Sequence, residues 1–144
     1  TEERVALFPK YEEEIRMFYG RWDEMLGDQI QGTVDLLKQC TDNQNYKVVA
    51  LTNWSHETFP KAIAKFEFLQ WFEGILVSGE EKTRKPFAEI YELTLSRFDI
   101  KADESLFIDD NLRNIEAARA LGIHSIQFHN PDQLAQDLAT YVTL

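Results

Sequence analysis

Two adjacent carboxylates are the strongest chemical signal in the sequence. Asp109 and Asp110 follow the apolar residues 106–108 and come directly before a helical pattern. A short apolar run is typical of a buried parallel strand, and open α/β sheets bind ligands at the C-terminal ends of such strands. Neighbouring carboxylates repel each other unless a proton or a cation relieves the repulsion, and Mg²⁺ prefers oxygen ligands. The pair therefore predicts a magnesium site, with capping of the following helix as the alternative.

A second polar group follows another apolar run. Residues 48–51 are β-rich, and Thr52-Asn53-Trp54-Ser55 comes directly after them. A hydroxyl, a carboxamide and the free backbone N–H groups of a helix start can together bind an anionic oxygen. The alternative is that Asn53 or Ser55 only caps the helix that follows.

A third polar feature is Lys85, which immediately precedes Pro86 at the start of a predicted helix. A cation at a helix N-terminus faces the positive end of the helix dipole, which is unfavourable. A nearby anion would compensate for this arrangement. A solvent-exposed lysine is the alternative.

The elements that would position these residues alternate between strands and helices. Two helices come first: one has apolar residues at helical spacing from Tyr11 to Met25, and the other begins near Gln31. Four short apolar runs follow, each with a helix after it, at residues 48–51, 74–77, 106–108 and 123–128. This alternation predicts an α/β fold: a three-layer, Rossmann-like parallel sheet with helices on both faces.

The composition limits the classes of partner. The formal net charge of −10 argues against nucleic acid and against an anionic membrane surface as partners, and no apolar run approaches the length of a membrane span. The single cysteine, Cys40, excludes an internal disulfide and predicts a cytoplasmic protein. The oligomeric state is left open.

In their order along the chain, the three polar features resemble the motifs of the haloacid dehalogenase superfamily. The resemblance covers roughly residues 28–135 and implies a role for each residue. Thr52 would bind the transferring phosphoryl group, and Lys85 would neutralise the nucleophile and the phosphate. Asp110 would bind Mg²⁺ directly, with Asp109 bonding the ion or one of its waters. Asn53 and Trp54 would border the substrate.

The acidic pair favours the phosphatase branch of this superfamily, because its true dehalogenases work without a metal. The resemblance thus implies a Mg²⁺-dependent phosphatase that forms an aspartyl-phosphate intermediate. Its substrate would be a small phosphorylated metabolite, with a sugar phosphate as the leading class. Two alternatives stay open: a non-catalytic phosphate- or protein-binding domain of the same fold, and a 2-haloacid dehalogenase. A phosphorylation-receiver domain fits less well, because its acidic pair comes first in the chain.

The family's first motif, an apolar strand ending in Asp-x-Asp, has no match before Val48. That motif supplies the nucleophilic aspartate on the central strand of the sheet. We therefore expect a longer protein, of which residues 1–27 are the remnant of a helical cap. Residues 28–144 would be the core without its central strand, so that the sheet is split in its middle. The 144 residues alone are expected to be inactive.

Overall fold

A computed structural model describes residues 1–143, and Leu144, with which the predicted core domain ends, lies outside the described residues. The α-helices, numbered α1 to α8, are Glu2–Leu7, Glu12–Gly20, Gln31–Asp42, Phe59–Lys65, Ser78–Glu81, Ala88–Arg97, Leu112–Ala120 and Pro131–Leu138. The strands β1 to β4 are Val49–Thr52, Gly74–Val77, Leu106–Asp109 and His124–Gln127. Short 3₁₀ helices occupy Pro9–Tyr11, Trp22–Met25, Glu67–Gln70 and Ala102–Glu104.

The strands form two separate parallel pairs. In the first sheet β1 pairs with β2, with Val49 opposite Gly74, and in the second β3 pairs with β4, with Leu106 opposite His124. Within residues 1–143, β1 and β3 do not pair with each other, so each has one unpaired edge. The α/β class with parallel strands is confirmed, and the assignment of residues 28–144 to a core without its central strand stays a prediction.

One apolar core joins the two sheets. Leu76 of β2, Tyr91 of α6 and Ala118 of α7 are all buried and belong to a single cluster. Partly buried Leu51 of β1 and Phe107 of β3 pack against that cluster. Because both sheets contribute to it, the cluster fixes the position of β1 and β2 relative to β3 and β4.

The N-terminal segment differs from the predicted single helix. Helix α2 ends at Gly20, and the residues after it form a 3₁₀ turn instead of continuing to Met25 as an α-helix. Lys61 of α4 contacts this end of the helix: its Nζ atom donates to the carbonyl oxygens of Tyr19 (3.0 Å) and Gly20 (2.9 Å), which lack partners at a helix end. No residue of α1 or α2 is fully buried. No helix described here is long and apolar enough to cross a membrane.

Candidate functional site

Lys85 brings the ends of the two sheets together. Its Nζ atom donates to the carbonyl oxygen of Leu51 in β1 at 2.8 Å and to Oδ2 of Asp109 in β3 at 2.7 Å. The side chains of Lys85 and Asp109 are only 10% and 6% exposed. The predicted anionic partner of Lys85 is therefore Asp109 itself, and the solvent-exposed alternative is wrong. An ammonium group has three N–H donors, so one remains for a further acceptor.

Asp109 is held in its ionised form by several donors. Its Oδ1 atom accepts hydrogen bonds from the backbone N–H of Asn111 and from Nδ2 of Asn114, each at 2.9 Å. Burial raises the pKa of Asp109, but the bonds from Lys85, Asn111 and Asn114 outweigh it and bring the pKa below its ordinary value of 3.8. Asp109 is thus a carboxylate at neutral pH.

Asp110 has a different environment from its neighbour. It is solvent-exposed, and its carbonyl oxygen accepts a hydrogen bond from Nε2 of Gln127 at 3.2 Å. Its carboxylate makes no hydrogen bond with any residue from 1 to 143. The N-cap of α7 is Asn111, whose side chain accepts from the N–H of Arg113 at 3.0 Å. Capping therefore does not explain the aspartate pair.

The pair fits part of a magnesium site. Carboxylate oxygens suit Mg²⁺, which takes about six oxygen ligands. The structure offers the free carboxylate of Asp110 beside the ionised Asp109, whose oxygens already accept hydrogen bonds. Within the described chain there is no group of three or more acidic, histidine or cysteine side chains that could hold a metal ion. A Mg²⁺ ion bound by the two aspartates would thus need further ligands, such as water or substrate.

Thr52 and Asn53 lie at the end of β1 and have different partners. Thr52 is the last strand residue and is partly buried, and its hydroxyl makes no hydrogen bond with another part of the described chain. The carboxamide of Asn53 forms two hydrogen bonds with the backbone of Lys85. Its Oδ1 atom accepts from the N–H of Lys85 at 2.9 Å, and its Nδ2 atom donates to the carbonyl oxygen of Lys85 at 3.0 Å. Helix α4 has Thr58 at its N-cap position, so neither Asn53 nor Ser55 caps it.

Trp54 is packed into the protein. Its indole N–H donates to Oγ1 of Thr58 at 3.1 Å, and its ring makes edge-to-face contacts with Trp22 and Phe59. Its backbone N–H donates to Oγ of Ser78 at 3.2 Å. Trp54 therefore attaches the N-terminal segment to the core next to the site.

Sequence reasoning missed two features that support the site. Gly79 donates its N–H to the carbonyl oxygen of Trp54 at 3.0 Å, and a Cβ atom there would lie 2.7 Å from that oxygen. The sequence carried a signal for Gly79, because a Ser-Gly pair directly follows a strand and is typical of a turn.

Tyr91 is the second missed feature. It donates its hydroxyl to the carbonyl oxygen of Asn114 at 2.9 Å, and burial, with a smaller effect of Asp109, raises the pKa of Tyr91 to about 12. Nothing distinguishes Tyr91 from other apolar helix positions in the sequence.

The arrangement can bind an anionic oxygen. Thr52 is the last residue of β1, Asp110 directly follows β3, and the side chain of Lys85 contacts both strands. Three groups are therefore available to a ligand: the hydroxyl of Thr52, the remaining N–H donor of Lys85 and the carboxylate of Asp110. A cation and a hydroxyl can stabilise negative charge, and a carboxylate can hold a divalent metal. The predicted residues Thr52, Lys85, Asp109 and Asp110 are consistent with one shared site.

Known proteins are similar to the chain in sequence and in fold. The family model for haloacid dehalogenase-like hydrolases matches residues 3–128. A sesquiterpene phosphatase from Aspergillus oryzae is 44% identical over 64 residues, 44% of this chain and 32% of that protein. A drimenol cyclase from Aspergillus calidoustus is 30% identical over 96 residues, 67% of this chain and 18% of that protein. The chain thus spans about a third or less of these relatives.

A solved structure extends the comparison to bound ligands. It is a haloacid dehalogenase family enzyme from Bacteroides thetaiotaomicron in complex with magnesium and inorganic phosphate. This enzyme is 28% identical to the chain with a TM-score of 0.67, over 78% of this chain and 59% of that one. A magnesium complex of an enzyme from the same organism covers 90% of the chain with a TM-score of 0.74 and 24% identity, which shows the shared fold.

Proposed function

The chain belongs to the haloacid dehalogenase-like hydrolase family, and from this premise we propose that it supplies the phosphate-binding part of a Mg²⁺-dependent phosphatase. The observation that carries the proposal is the position of Lys85 between the ends of β1 and β3, with one N–H donor still available. Its neighbours in the proposed site are the free hydroxyl of Thr52 and the pair Asp109 and Asp110, of which Asp109 is ionised. The phosphatase among the relatives, and the phosphate and magnesium bound by the Bacteroides enzyme, support the same reading.

Each residue of the site has a proposed role. Thr52 donates its hydroxyl to an oxygen of the phosphoryl group, and Lys85 directs its third N–H to another. Asp110 and Asp109 hold Mg²⁺, with Asp110 as the direct ligand because its oxygens have no other partner in residues 1–143. When bound, Mg²⁺ would neutralise charge on the phosphoryl oxygens. Asn53, which is exposed, borders the substrate together with Trp54.

The nucleophile is proposed to lie outside these 144 residues. In this mechanism an aspartate attacks phosphorus, the bond from phosphorus to the leaving oxygen breaks, and water then hydrolyses the aspartyl-phosphate. The unpaired edges of β1 and β3 could both pair with one further parallel strand, which would carry that aspartate next to Lys85. The division into a cap remnant at residues 1–27 and a core from residue 28 onward is part of the same proposal. Residues 1–144 alone would then have no phosphatase activity.

The substrate is proposed to be a small phosphorylated metabolite. A sugar phosphate is the class that the sequence resemblance favours. The sesquiterpene phosphatase among the relatives adds a sesquiterpenyl phosphate as a second class. Phe18, Trp22 and Trp54 are joined by edge-to-face contacts, and Trp54 is the residue after Asn53, so this aromatic cluster supports the second class. Transfer of an apolar group to such rings would be favourable.

A substrate screen on the full-length protein tests the proposal. The panel contains sugar phosphates, a sesquiterpenyl phosphate and p-nitrophenyl phosphate, each with Mg²⁺ and with EDTA, and Asp110→Asn serves as the control. We expect Mg²⁺-dependent phosphate release that Asp110→Asn abolishes. Phosphate binding without turnover would favour the non-catalytic domain. EDTA-insensitive chloride release from 2-chloropropionate would favour a dehalogenase. Activity from residues 1–144 alone would contradict the proposed position of the nucleophile.

The partner and location predictions remain predictions. The net charge of −10 still argues against nucleic acid and anionic membrane partners. Cys40 is partly buried, and burial raises the pKa of its thiol, so it has no sign of an activated nucleophile. A cytoplasmic location is proposed on the basis of this single cysteine.

A further inference from the structure

The carboxamide of Asn53 binds both backbone polar groups of Lys85. Its oxygen accepts from the N–H at 2.9 Å and its nitrogen donates to the carbonyl oxygen at 3.0 Å. The two residues are 32 positions apart and belong to different segments, the end of β1 and the loop before Pro86. One side chain therefore fixes the position of a distant backbone unit with two hydrogen bonds.

The backbone polar groups of Lys85 have no partner other than Asn53 in residues 1–143. Pro86 has no N–H to donate, and the N–H of Phe87 donates to the carbonyl oxygen of Arg84 at 2.9 Å, which leaves the polar groups of Lys85 to Asn53. A lysine side chain has four rotatable carbon–carbon bonds and loses much freedom when it is ordered. A fixed backbone reduces the number of conformations in which Nζ reaches both Leu51 and Asp109.

We propose that Asn53 is a positioning residue for Lys85: its carboxamide holds the Lys85 backbone so that Nζ lies between β1 and β3. This role goes beyond the proposed contact with substrate, and its effect on turnover rests on the proposed function. The positioning of the Lys85 backbone by Asn53 does not rest on the proposed function, because it concerns two hydrogen bonds within the chain. Asparagine suits the task, since it has one acceptor and one donor at the required spacing. Aspartate would keep the acceptor, but its second oxygen would face the carbonyl oxygen of Lys85.

The first test measures hydrogen exchange at the amide of Lys85 in the full-length protein. Asn53→Leu has nearly the same shape but neither hydrogen bond, and we expect exchange at least about tenfold faster. Asn43→Leu is the matched control, because Asn43 also joins two backbone groups: it donates to Thr143 at 3.0 Å and accepts from Asn45 at 3.1 Å. The control should leave exchange at Lys85 unchanged. Equal exchange in wild type and Asn53→Leu would overturn the proposal.

The second test asks whether Asn53 acts through Lys85. In Asn53→Leu we expect kcat to fall at least about tenfold and by a larger factor than KM rises, with a smaller loss in Asn53→Asp, which keeps one bond. In a protein that already carries Lys85→Met, Asn53→Leu should have little further effect on kcat. Additive losses, or a change confined to KM, would mean that Asn53 acts on substrate instead. An inactive wild type would refute the proposed function, while the exchange measurement would still decide the positioning role.

Discussion

The Nζ atom of Lys85 lies 2.7 Å from Oδ2 of Asp109, and this ion pair joins two sheets that share no backbone hydrogen bonds in residues 1–143. The same Nζ atom donates to the carbonyl oxygen of Leu51 and lies 5.5 Å from the ring centre of Phe107. Burial makes the pair sensitive to the loss of either partner, because an unpaired buried charge is costly. The pair is thus important for stability as well as for the proposed chemistry.

Lys85→Met should lower both stability and activity. Methionine keeps much of the apolar stem but leaves the carboxylate of Asp109 buried without its cation, and we expect a loss of about 3 kcal/mol in the free energy of unfolding. Turnover of the full-length protein should fall at least about a hundredfold, because the variant removes the cation from the proposed phosphoryl-binding site. Urea unfolding and steady-state kinetics measure the two effects.

The exposed pair of Lys101 and Glu104 provides the control for this experiment. Their side chains are 71% and 66% exposed, so Lys101→Met should change the free energy of unfolding by less than about 0.5 kcal/mol. The double variant Lys85→Met/Asp109→Asn should recover part of the lost stability, since it removes the unpaired charge. A double variant no more stable than Lys85→Met would contradict the role assigned to the ion pair.

The lowered pKa of Asp109 predicts a specific loss of stability in acid. The unfolded chain has the higher pKa, about 3.8, so it takes up a proton before the folded chain does as the pH falls. The stability contributed by ionised Asp109 is therefore present above about pH 4 and is lost as the pH drops through the folded-state pKa. Asp109→Asn should flatten this acid-dependent part of the unfolding curve. Urea titrations between about pH 2 and pH 6 test this, with Asp28→Asn on the exposed surface as the control.

Local patterns predicted the elements well, because each signal lies within a few neighbouring residues. The apolar runs became the four strands, and Gly122, with φ of +80°, follows the end of α7 at a position where a left-handed glycine is favourable. Asn130 caps α8 by accepting from the N–H of Gln133 at 2.9 Å. The early end of α2 at Gly20 was missed, although glycine is a poor helix former, and the contact of Lys61 from a later helix at that end depends on tertiary structure.

Prediction of the site was limited in the same way, by contacts between residues that are far apart in the sequence. The residue types of Thr52, Lys85, Asp109 and Asp110 predicted a site from sequence, and Thr52 and Asp109 are the last residues of β1 and β3 as that prediction needs. The bond from Asn53 to the backbone of Lys85 could not be predicted, since both residues lie in loops and their spacing has no period. Such contacts depend on tertiary structure and need coordinates.

The two aspartates should respond differently to the same substitution. Asp109→Asn and Asp110→Asn should each weaken the affinity for Mg²⁺ in the full-length enzyme at least about tenfold, because each removes a charge from the proposed metal site. Only Asp109→Asn should also lower the free energy of unfolding, since Asp109 pairs with Lys85 while Asp110 is exposed. Calorimetric Mg²⁺ titration and urea unfolding separate the two effects. Full Mg²⁺-dependent turnover in Asp110→Asn would refute its assignment as the direct ligand.

Thr52→Val tests the proposed contact between a hydroxyl and the phosphoryl group. Valine has nearly the same shape but no donor, and loss of one such donor should lower kcat by about a hundredfold. The free energy of unfolding should change little, because the hydroxyl has no partner in the described part of the chain. Thr52→Ser keeps the hydroxyl and should retain most of the activity. A similar loss in both variants would point to packing at the end of β1 as the cause.

Gly79→Ala should disturb the loop that carries Asn53 and Trp54. A Cβ atom at position 79 would lie 2.7 Å from both the carbonyl oxygen of Trp54 and the N–H nitrogen of His56. Both are backbone atoms and cannot move without the loop, so we expect a loss of about 1–3 kcal/mol in the free energy of unfolding. The hydrogen bond from Gly79 to Trp54 would also lengthen, and kcat should fall because Asn53 lies next to the displaced residue. Gly20→Ala is the matched control, because nothing lies within 4 Å of its added Cβ, and it should keep wild-type stability and activity.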